Sequence, residues 1–80
     1  MKIPVIKKLV ESYSLEQLQV AENAMLDGEQ LPIEVEGDDE GEQLTHILAA
    51  MDILQNMKSK GINTAQALRL YSQRVRKSIS

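Results

Sequence analysis

Apolar side chains in this chain recur every third or fourth position over most of its length, and alternate in one short stretch. Ile6, Leu9, Val10 and Tyr13 fall at i, i+3, i+4 and i+7, the stripe of a short helix near residues 4–12. Pro4 suits its first turn, where an amide has no helical partner anyway. Ser14 with Gln17 three positions on reads as a capping box opening a second helix near 15–27. Leu18, Ala21 and Met25 line its inner face, and Gly28 is placed to close it in a left-handed conformation.

The alternating stretch lies between residues 29 and 38. Leu31, Ile33 and Val35 alternate with Pro32, Glu34 and Glu36, a period of two, and the proline confines any strand to an edge. A single strand has no sheet to join within this chain. The segment is therefore expected to be an extended acidic connector, or an arm that pairs with its own copy.

Asp38 or Asp39 is expected to cap a third helix near 39–60, with Glu40 and Glu42 in the turn where the helix dipole favours negative charge. Leu44, Ile47, Leu48, Met51, Leu54 and Met57, with Ala49, Ala50 and Ile53 between, form an apolar surface wider than one antiparallel neighbour covers. Lys58, Lys60 and Gly61 supply a C-terminus. Asn63 with Gln66 caps a fourth helix near 64–79, striped by Leu68, Tyr71, Val75 and Ile79. The reading is one all-α domain over residues 1–80, a small four-helix domain with its acidic connector between helices 2 and 3.

Composition narrows the chemistry. The chain has 80 residues, no cysteine, no tryptophan, no phenylalanine, one histidine and two tyrosines. Disulfides, zinc–thiolate sites, iron–sulfur clusters and thiol catalysis are excluded, and aromatic platforms for stacking bases are missing. The apolar part of Met1–Val10 is broken by Pro4 and too short for a signal-peptide core, and no run approaches a membrane span. A soluble, cytoplasmic protein without membrane attachment is expected.

The net charge of −3 hides a sorting along the chain. Residues 1–10 carry three lysines and no acid; residues 11–42 carry eleven acids and no base; residues 43–80 carry six bases against Asp52 alone. Opposite segments attract, within one chain or between two copies.

Each candidate site is weak when its spacing is tested. His46 with Glu42 one turn earlier offers two metal ligands, too few for a site and not the spacing of di-iron bundles; a surface or interface histidine paired with Glu42 is the simpler expectation. Six carboxylates in Glu34–Glu42 recommend calcium, yet with Gly41 at the obligatory glycine of an EF-hand loop the bidentate position falls on Ile47. Whether that loop takes a cation stays open. Helix 3, the Gly61–Asn63 turn and helix 4 mimic a helix-turn-helix, with Arg69, Arg74, Arg76 and Lys77 as possible polyanion contacts. The reading positions offer only Thr64, Ala65, Gln66 and Ala67, and the acidic middle repels DNA. No serine elbow or phosphate loop is present, so no catalytic residue, metal ligand or cofactor is assigned.

The opening Met1-Lys2-Ile3-Pro4-Val5-Ile6-Lys7-Lys8-Leu9 and the ending Ala67-Leu68, Arg74-Val75 and Ser78-Ile79 resemble an uncharacterised family of small helical bacterial proteins. The resemblance covers the two ends. It implies a small helical cytoplasmic protein and carries over no catalytic residue.

The function expected is a non-enzymatic helical protein–protein interaction module that associates with itself. A homodimer would pair Leu31, Ile33 and Val35 with their own copies and bury Met51, Leu54 and Met57. The alternative is a nucleic-acid-associated regulator using the basic C-terminal helix.

Overall fold

The structure, a computed structural model, describes residues 2–79, with side chains through residue 74. Four helices follow one another: α1 (Ile3–Ser12), α2 (Leu15–Leu26), α3 (Glu40–Lys60) and α4 (Thr64–Ile79). Every expected boundary falls within a residue or two; α1 starts at a first-turn proline without a side-chain cap, and the starts of the other three are written in cap chemistry. Ser14 Oγ accepts from the Gln17 amide while Gln17 Oε1 accepts from the Ser14 amide. Asn63 and Gln66 repeat that reciprocal pair ahead of α4. Asp39, not Asp38, caps α3, its Oδ1 accepting from the Glu42 amide at 2.7 Å. At the end of α2, Gly28 takes φ +73°, and the amides of Gly28 and Glu29 return to the carbonyls of Met25 and Ala24, a full Schellman closure. Gly61 also ends α3 in the left-handed conformation, at φ +64°, by a single bond from its amide to the Met57 carbonyl.

α3 is the central helix. Among the described residues α1, α2 and α4 all pack on it, α1 also meets α4, and α2 rests on α3 alone. Its wide apolar face is thus covered largely by the chain's own shorter helices. The core is aliphatic: Val5, Ile6, Leu9 and Val10 from α1, Leu18 from α2, Ile47, Met51 and Ile53 from α3. Alanines 21, 24, 49, 50 and 67 fill most of the other buried positions and let the backbones approach closely. Val75 and Ile79, expected on the inner stripe of α4, lie beyond the described side chains.

The segment between α2 and α3 is neither helix nor strand. Its alternation is real: Leu31, Ile33 and Val35 turn inward while Pro32, Glu34 and Glu36 stay exposed. The inward side meets this chain's own core. Val35 is buried, and Leu31 and Ile33 pack against the cluster. Two side chains of α3 fasten the segment's end. Gln43 donates from Nε2 to the Val35 carbonyl at 2.9 Å, and His46 reaches the Glu36 carbonyl.

Gly37 makes that approach possible. A β-carbon there would stand 2.8 Å from Gln43 Cγ and 3.0 Å from the Gln43 backbone nitrogen. Gly37→Ala is expected to cost about 1–3 kcal/mol of stability through the forced separation, read as a lower denaturation midpoint. An unchanged midpoint would mean that the segment is not held against α3.

Candidate interaction surfaces

His46 is the most deeply engaged polar side chain. The expectation of a surface histidine paired with Glu42 is corrected: the ring is fully buried, and backbone groups take both nitrogens. Nε2 accepts from the Lys2 amide at 3.0 Å. Nδ1 lies 2.8 Å from the Glu36 carbonyl. A carbonyl only accepts, so Nδ1 carries the proton and Nε2 is the bare nitrogen. The imidazole is neutral in this arrangement and has no lone pair left for a metal. It ties together the start of α1, the connector and α3, three elements distant in sequence.

Around this clamp the acidic connector meets the N-terminal lysines. Lys2 Nζ lies 3.8 Å from Asp38 and 4.0 Å from Glu42, and Lys8 Nζ lies 3.5 Å from Glu36. Glu42 also accepts from the Asp38 amide. Part of the Glu34–Glu42 acid is therefore employed in capping α3 and in holding α1. These pairs are largely exposed, and each is worth at most about 1 kcal/mol. Among the described residues no three His, Cys, Asp or Glu side chains are grouped to hold a metal ion.

The six apolar residues expected at a dimer interface do not form an exposed face. Val35 and Met51 are buried, and Leu31, Ile33, Leu54 and Met57 are partly buried against the same core. The exposed large apolar side chains are others: Ile3, Val20, Leu26, Leu48 and Leu70. Val20 and Leu70 lie off the inner stripes of their helices, so a reading that followed those stripes left them out, and Leu48, counted with the apolar surface of α3, is exposed as well.

Two of these sit beside open grooves. Val20 lines a shallow groove of about 300 Å³ with Glu16 and Gln17 of α2 and Pro32 and Ile33 of the connector. Leu70 borders another of about 260 Å³ with Gln73 and Arg74 of α4 and Asn56 and Lys60 of α3.

The residues named for polyanion contact are divided. Arg69 is exposed. Arg74 is ion-paired with Asp52 of α3 and stands over the Tyr71 ring, 5.9 Å from its centroid. The side chains of Arg76 and Lys77 lie outside the described residues.

Burial raises the Tyr71 hydroxyl above its ordinary value of 10.0, the Asp52 carboxylate raises it further, and the Arg74 guanidinium opposes both. The folded chain thus holds this proton more tightly than the unfolded one. The corresponding stability is intact below about pH 10 and is lost as pH rises through the raised folded value. In Tyr13→Phe, which leaves Tyr71 as the one tyrosine, ultraviolet titration is expected to give a midpoint above 10.0, lowered by adding Asp52→Asn. A midpoint at or below the ordinary value contradicts the packing of Tyr71 beside Asp52.

Four helices closed by local caps around one aliphatic core define a small all-α domain. Among the described residues no helix is long and apolar enough to cross a membrane. The chain belongs to a family of unknown function, DUF6952, whose model matches residues 1–80. The resemblance carried by the two ends therefore extends through the acidic middle. Comparison with curated proteins and with solved structures gives no match.

Proposed function

We propose that this chain is a non-enzymatic helical interaction module that associates with itself. The observation that carries the reading is the charge left over once the intrachain pairs are made. Lys2 answers Asp38 and Glu42, Lys8 answers Glu36, and Arg74 answers Asp52. Glu16, Glu34, Lys60 and Arg69 are exposed and make no ion pair among the described residues. Of these four, Glu16 belongs to α2 and Glu34 to the connector, Lys60 to the end of α3 and Arg69 to α4. A surface divided this way is complementary to itself. The non-enzymatic half of the reading is supported by His46, whose imidazole is spent on two backbone hydrogen bonds.

Sedimentation equilibrium in low salt tests the proposal. A mass above 9.0 kDa that rises with concentration is expected, falling towards the monomer near 1 M salt, where the screening length is about 3 Å. The monomer mass at every micromolar concentration and low salt rejects self-association.

A further inference from the structure

Resting on that self-association, we infer its contact: the groove between α2 and the connector in one copy receives the outer face of α4 from a second copy. The groove has an apolar floor, Val20, Pro32 and Ile33, and an acidic rim at Glu16, one helical turn before Val20. Val20 is 55% exposed, so more than half of its surface remains to be covered. α4 supplies the opposite pattern. Leu70, 37% exposed, stands on its outer side with Arg69 and Gln73, and Lys60 of α3 lies alongside. A helix bearing one aliphatic anchor flanked by cations fits a groove of apolar floor and anionic rim.

The two surfaces lie on different helices. Among the described residues α2 and α4 make no contact with each other, so neither surface covers the other within one molecule. The contact is thus between unlike surfaces, acidic groove to basic helix. A two-fold dimer satisfies it by making the contact twice; without closure, copies add head to tail. The charges set register and orientation, because matching like surfaces brings carboxylate to carboxylate or cation to cation.

Paired charge reversal tests the inference. Glu16→Lys makes the groove rim basic, and Lys60→Glu with Arg69→Glu makes the helix face acidic. All three positions are exposed, and circular dichroism checks that each protein keeps its helix content. Each reversed protein alone is expected to self-associate about tenfold or more weakly than wild type, from like charges meeting at both contacts. Mixed in equal amounts they are expected to form a complex again, because acid then faces base at every contact. Val20→Gln adds a probe that leaves charge unchanged, and it too is expected to weaken association. If wild type associates and the reversed proteins associate equally well, or if mixing fails to restore the complex, this contact is wrong while self-association stands. If wild type is monomeric, both fall together.

Discussion

Leu18→Ala is expected to lower stability by about 3–5 kcal/mol, the upper part of the range for deleting a buried leucine. The reason lies in how α2 is attached. It packs on α3 alone, and its buried residues are Leu18, Ala21 and Ala24. Leu18 is the single large side chain among them and is fully buried, while Leu15 and Met25 add partly buried contacts at the two ends. Truncating it leaves a cavity, with the two alanines and the partly buried Leu15 and Met25 to hold twelve residues. A chain of this length has on the order of 4–12 kcal/mol in total, at about 0.05–0.15 kcal/mol per residue. The substitution therefore removes a quarter of it at the least and unfolds the chain at the lower end. Urea denaturation reads the loss directly, and native-state hydrogen exchange locates it. Amides of α2 should lose protection first, since α1 and α4 share a contact that α2 lacks. A loss below about 1 kcal/mol would show that the two ends of α2, not its middle, hold it.

What could be read from the sequence was the part that neighbours along the chain decide. Ser14 finds Gln17, Asp39 finds Glu42 and Asn63 finds Gln66 within three residues, so helix starts followed from residue type and spacing alone. Gly28 and Gly61 close helices because the left-handed conformation is local as well. The alternation at Leu31–Val35 correctly separated an inner from an outer side, yet said nothing about whose core the inner side meets. That depends on Gln43 and His46 reaching back from α3, and on the bare backbone of Gly37. The interface candidates on α3 meet a related limit. A wide apolar face reports how much must be covered, and here three helices of the same chain do most of the covering. Ala67, almost fully buried, carried no periodic signal because its small side chain marks close backbone approach rather than apolar bulk. The split of charge was visible from the start. Which lysines meet which carboxylates was settled by the fold, and that is what leaves Lys60 and Arg69 exposed opposite in character to Glu16 and Glu34.

His46→Ala is the second large loss, about 2–4 kcal/mol, and its chemistry differs from that of Leu18. The ring's absence leaves the Glu36 carbonyl without its donor and the Lys2 amide without its acceptor. Each unmet group costs about 1–3 kcal/mol when water cannot replace the partner. Lys2 and Glu36 are themselves exposed residues, so water recovers part of that cost and holds the sum below the simple total. Conservative replacements separate the two bonds. Asparagine sets its amide nitrogen near the place of Nδ1 and keeps the donor to Glu36. Glutamine sets its amide oxygen near the place of Nε2 and keeps the acceptor for Lys2. Both should be more stable than alanine, and they should differ in what comes loose. With asparagine the connector stays protected in hydrogen exchange while the start of α1 opens; with glutamine the order reverses. Leucine fills the volume and satisfies neither group, so it should fall closer to alanine than to the two amides. If leucine matched wild type, the clamp would be packing alone, and the neutral tautomer with its proton on Nδ1 would have no part in holding α1 and the connector to α3.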